Sequence, residues 1–142
     1  MLKFLSPIHR ASRQIGVYFE GKLEDLHVSP QEGHLLSYLR SYAPCPISEL
    51  VRVFGLKQST LTSMLDRLER RALIRRAINA EDRRSFLIRL TRRGRLLADR
   101  INRIVEVLER RLANMVSARD MAGFAAVMSA IDELTQVKLR QT

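Results

Sequence analysis

The sequence predicts a mainly α chain: six helices, with a two-stranded β wing between the fourth and the fifth. Three observations carry that reading. Apolar residues recur three and four apart through most of the chain, two short alternating runs lie at 74–78 and 86–90, and polar turn formers separate those runs.

The first helix is expected from Pro7 to Leu26, with Ile8, Ala11, Ile15, Tyr18, Phe19, Leu23 and Leu26 near one stripe and Gly21 weakening its later half. Ser29-Pro30-Gln31-Glu32 reads as a capping box with proline at the first helical position. It opens a second helix through Leu35, Leu36, Tyr38 and Leu39, which ends before Ala43-Pro44-Cys45-Pro46. Ser48 is the expected cap of a short third helix holding Leu50, Val51 and Phe54, stopped by Gly55.

A fourth helix begins near Lys57 or Gln58 and turns Leu61, Met64, Leu65 and Leu68 inward. Two amphipathic helices about a glycine-marked turn make a helix-turn-helix candidate. Ile74–Ile78 and Phe86–Leu90 read as strands joined by a turn from Asn79 to Arg84. Thr91 is the expected cap of a long fifth helix with Leu97, Ile101, Ile104, Leu108, Leu112 and Met115 in its stripe. Ser117-Ala118-Arg119-Asp120 opens a sixth, carrying Met121, Phe124, Met128, Ile131 and Leu134 on one face.

Charge gives the function class. The chain has 142 residues, a formal net charge of +10 and 46% hydrophobic residues, which describes one globular domain with a polyanionic partner. Eleven arginines fall between Arg67 and Arg95, against Glu69, Glu81 and Asp82 alone. Small polar residues at the start of a helix suit base edges in a major groove, and a basic hairpin beside it suits phosphates or a minor groove. The element order is therefore that of a winged helix-turn-helix, with double-stranded DNA as the expected partner. The absence of Trp argues against single-strand binding on aromatic platforms.

Other chemistries find little to stand on. His9, His27 and His34 have no metal-ligand spacing, and there are no carboxylates clustered for a metal, no activated nucleophile with a base and no phosphate-binding glycine loop, so neither enzyme activity nor a metal or cofactor is expected. The lone Cys45 excludes an intrachain disulfide and reads as a small packed or exposed residue rather than an oxidant sensor. No apolar run approaches the ~18 residues of a membrane span, and the N-terminal apolar stretch is too short for a signal peptide, so a cytoplasmic protein without membrane partners is expected.

The terminal helices are longer than a lobe of that size can cover, so a second copy of the chain is the expected partner for their apolar stripes. The resulting organisation is a single domain over 1–142: a DNA-binding lobe at 29–94 and homodimerisation helices at 1–28 and 95–142.

Leu56 to Glu69 (LKQSTLTSMLDRLE), Leu73-Ile74-Arg75-Arg76, Glu81-Asp82-Arg83-Arg84-Ser85 and Leu90-Thr91-Arg92-Arg93-Gly94 together resemble the MarR family of bacterial transcriptional regulators, over nearly the whole chain. The resemblance implies a helical dimer with winged lobes, more often a repressor, acting at a palindromic promoter site and often relieved by a small aromatic or phenolic ligand. It implies that Gln58, Ser59, Thr60, Thr62 and Ser63 sit at the major groove, and that Arg67 follows that groove or holds a phosphate. Asp82 would orient wing arginines and Arg83 or Arg84 would enter the minor groove. Tyr18, Phe19, Leu36, Tyr38, Leu39, Tyr42 and the start of the fifth helix are the surroundings that the resemblance implies for a ligand.

Two positions depart from the family pattern. Lys57 stands where a small polar cap is usual and is expected on a phosphate, and Ala72 replaces a common glycine, which costs about 1 kcal/mol if its φ is positive. Arg75, Arg76 and Arg89 alternate with apolar strand residues, so some of them are expected on phosphates. The alternative function is an architectural or nonspecific nucleic-acid-binding protein using the same basic face.

Overall fold

The computed structural model describes residues 1–140. They group into two compact units, Met1–Ile101 and the residues from Asn102 onward. The helices are α1 (Leu5–Leu23), α2 (Pro30–Tyr42), α3 (Ile47–Phe54), α4 (Gln58–Arg70), α5 (Arg92–Ala113) and α6 (Ala118–Thr135). The strands are β1 (Cys45–Pro46), β2 (Ile74–Ile78) and β3 (Phe86–Leu90).

Local chemistry sets most of these boundaries. At the start of α2, Ser29 Oγ accepts the Glu32 N–H and Glu32 Oε1 accepts the Ser29 N–H, each at 3.1 Å, with Pro30 at the first helical position. Gly55 ends α3 in the left-handed region at φ 60. Thr91 Oγ1 accepts the Gly94 N–H at 2.9 Å and so caps α5.

Four expectations need correction. α1 stops at Leu23 rather than Leu26, because a 3-10 turn over Glu24–Leu26 follows and His27 adopts φ 54. That turn is held from a distance: Arg71 donates to the carbonyls of His27 (2.7 Å) and Leu26 (3.3 Å). The N-cap of α3 is Pro46, not Ser48, since the extended Pro46 (φ −69, ψ 151) starts the helix two residues earlier. Met115 lies past the end of α5 and is not in its stripe. The wing sheet has a third strand, β1, too short for any periodicity to reveal in the sequence.

The sheet order is β1-β3-β2, with both pairings antiparallel. Cys45 pairs with Ile88, and β2 and β3 pair from Ile74↔Leu90 to Ile78↔Phe86. Leu36 and Leu39 of α2, Leu50 of α3, Leu61, Leu65 and Leu68 of α4, and Ile88 of β3 are completely or almost completely buried. Tyr38 is buried among them and its hydroxyl donates to Glu49 at 3.0 Å. Cys45 is buried too, with Sγ donating to the Tyr42 carbonyl.

The base of the wing is the tightest junction. A Cβ built on Gly94 would lie 1.9 Å from the Leu73 carbonyl oxygen, so only glycine lets α5 start this close to the hairpin. Thr91 adds a bond from its hydroxyl to the Ala72 carbonyl (2.6 Å). Ala72 itself has φ 57, the left-handed conformation that favours glycine, at a cost of about 1 kcal/mol.

The unit from Asn102 onward has a different character. Ser117 and Asp120 form a second capping box at the start of α6. Met121, Phe124 and Leu134 are well exposed, and none of the described side chains of this unit is buried.

Candidate nucleic-acid interface

The candidate interface begins at the N-terminus of α4. Lys57 occupies the N-cap with extended backbone (φ −62, ψ 143) and makes no capping bond, because its side chain offers no acceptor. The first-turn amides of α4 are thus not capped by that side chain, and they carry the positive end of the helix dipole beside the Lys57 ammonium. Gln58, Ser59, Thr60, Ser63 and Arg67 are exposed on this helix, while Thr62 is half-buried. Leu61, Met64, Leu65 and Leu68 fix that orientation by filling the core from the opposite side.

The wing turn is built by its own polar atoms. Asn79 N–H bonds to the Ser85 carbonyl at 3.1 Å, and Asn79 Oδ1 accepts the Glu81 N–H at 3.1 Å. Asp82 was expected to hold an arginine side chain. Its Oδ1 instead accepts the backbone N–H of Arg84 at 3.1 Å, and its carbonyl accepts from Ser85. This is the local turn that aspartate favours over a surface ion pair, since backbone two residues on is already within reach. Arg83 and Arg84 are left exposed at the tip.

Register then sorts the strand arginines. Arg75 and Arg89 sit directly opposite each other and both are exposed. Like charges in a cross-strand pair are destabilising, so this rung favours an anion across it. Arg89 is a candidate contact that reading the strands one at a time underweights; its pairing with Arg75 follows only once the turn length sets the register. Arg76 faces the other way, and its Nη2 lies 2.7 Å from Asp66 Oδ1 of α4. Arg71, bonded to the carbonyls before α2, is likewise engaged within the fold.

Among the described residues no cluster of three metal-ligating side chains occurs, and no helix is long and apolar enough to cross a membrane. Of the expected ligand surroundings, Leu36, Tyr38 and Leu39 are core residues.

Residues 28–86, the stretch from the approach to α2 through the wing turn, match the model of the MarR family. Those residues form a MarR-family domain. It is similar to the HTH-type transcriptional repressor MdtR of Bacillus subtilis, 24% identical over 84% of this chain and 77% of that one. It is also similar to the organic hydroperoxide resistance transcriptional regulator of the same organism, 30% identical over 66% of this chain and 63% of that one. Its fold superimposes on S. aureus MepR in a DNA complex with a TM-score of 0.83 at 22% identity, covering 97% of this chain and 100% of that one. The chain is therefore a DNA-binding transcription regulator with the winged-helix fold, in a class of regulators and not of enzymes.

Proposed function

We propose that this protein is a repressor that binds a palindromic promoter site as a homodimer. The observation that carries the reading is the shared exposure of an uncapped, polar α4 start and an arginine-rich wing within one unit. Gln58, Ser59, Thr60 and Ser63 have the donors and acceptors to read major-groove base edges, with Thr62 contributing less from its half-buried position. Lys57, Arg67 and the Arg75/Arg89 rung supply phosphate contacts. Arg83 and Arg84 project from a turn braced by Asp82, which suits insertion into a minor groove.

Dimerisation follows from the uncovered apolar side chains of α6, which a second copy would cover, and two-fold symmetry would place two recognition helices about one DNA turn apart. A relative named as a repressor and a structural neighbour crystallised with DNA support the same reading. Relief by a small aromatic or phenolic effector belongs to the proposal too. Of the expected contacts, Tyr18, Phe19 and Tyr42 are half-buried rather than core, with Tyr18 and Phe19 edge-on at 5.3 Å.

Selection from a random duplex library followed by footprinting tests this. An enriched palindrome with half-sites about one turn apart is expected. Tight binding without an enriched motif would favour the architectural alternative and sink operator recognition. Replacing Arg84 with Ala should weaken binding about tenfold and leave the dimer intact; unchanged affinity removes the wing tip from the interface.

A further inference from the structure

The proposed groove-reading face of α4 carries a charge of the wrong sign. Asp66 follows Ser63 by three positions and Ser59 by seven, so it lies on the same helix face as those two side chains. Glu69 comes one further turn along, and both carboxylates are exposed. Phosphates approaching that face would meet two anions.

The wing supplies the counter-charge. Arg76 projects from β2 on the face opposite Arg75 and Arg89, toward α4. Its Nη2 lies 2.7 Å from Asp66 Oδ1, and its Nε lies 3.9 Å from Glu69 Oε2 with no hydrogen-bond partner of its own. The Arg76 side chain is 22% exposed, against 49% for Asp66 and 43% for Glu69, so the guanidinium is the sheltered member of the group. A phosphate contact would call for the reverse.

We propose that Arg76 is a positioning residue for DNA recognition: it neutralises Asp66, and partly Glu69, so that α4 can approach phosphates, and does not itself bind DNA. This rests on the DNA-binding reading above. It divides the adjacent arginines by task, with Arg75 facing the ligand and Arg76 conditioning the helix that reads it. It also links wing and recognition helix electrically, so that a change at one alters the charge offered by the other.

The test compares wild type, Arg76→Gln, Asp66→Asn and the double variant by fluorescence anisotropy on the selected duplex across a salt series, with thermal melting as a check of folding. Arg76→Gln should weaken binding about tenfold by uncovering a carboxylate against phosphates. The double variant, in which both charges are gone, should return to within about threefold of wild type with the wild-type salt slope. If the double variant stays as weak as Arg76→Gln and its slope falls by about 0.9, Arg76 is a phosphate contact and the proposal fails. If it stays weak with an unchanged slope and a lowered melting point, the pair is only a structural brace, which also overturns it. Wild-type affinity in Arg76→Gln would do the same. Failure of the wild-type protein to bind any duplex would instead remove the underlying reading, and is seen before any variant is made.

Discussion

The two units of this chain solve the burial problem in opposite ways. Through Ile101, every helix after the first turns leucines, isoleucines or an aromatic into a shared interior, with Leu36, Leu50, Leu61 and Leu65 fully enclosed. From Asn102 onward no described side chain is buried, and Phe124 (62%) and Leu134 (85%) remain open to solvent. Both regions have amphipathic helices with sound caps. The difference shows that helical pattern and capping define an element, whereas its place in a core depends on a second surface. For α6 the proposed second surface is another copy of the chain.

That contrast can be broken most forcefully from the first unit. Leu65→Ala should lower stability by about 3 kcal/mol, measured by urea denaturation, because a closed cavity replaces a fully packed side chain. A loss under about 1 kcal/mol would mean the α4 core is looser than its burial implies.

Phe124→Asp is the matching probe of the second unit. It should leave the helical content of the chain unchanged and weaken self-association by on the order of 2 kcal/mol, read by sedimentation equilibrium. Unaltered association would take the α6 face out of the dimer. A smaller gain is expected at the hinge of the wing: Ala72→Gly should raise the thermal midpoint, adding about 0.5–1 kcal/mol by relieving the left-handed alanine.

The smallest effect concerns the cap of α6. Backbone and side-chain hydrogen bonds from Ser117 lower the Asp120 pKa below the ordinary carboxylate value. The folded-state value is depressed, so the cap's contribution is present above the unfolded pKa and is lost as pH falls through the folded one. Acid titration followed by circular dichroism should therefore show a shallow helix loss below the usual carboxylate range. Asp120→Asn should abolish that step; its persistence would assign it to another group.

Much of this fold could be read directly. The capping box at Ser29, the Gly55 stop and the strand limits at 74–78 and 86–90 are local patterns, each set by residues close together in the chain. The exposed side chains at the start of α4 were legible for the same reason, since four inward apolar residues decide which way the rest must point. β1 was not, because two residues carry no period and their pairing partner lies forty residues away in β3.

Arginine roles show the boundary most clearly. By itself the sequence determined that a dense basic segment follows a short polar helix, and so that the chain meets a polyanion, because charge count and helical spacing do not depend on distant contacts. Only the tertiary structure decided that Arg71 closes the turn before α2, that Arg76 pairs with Asp66, and that Arg75 and Arg89 form one exposed rung. Identical guanidinium groups differ in what they do through strand register and through which acceptors the fold brings within about 3 Å, the reach of a hydrogen bond.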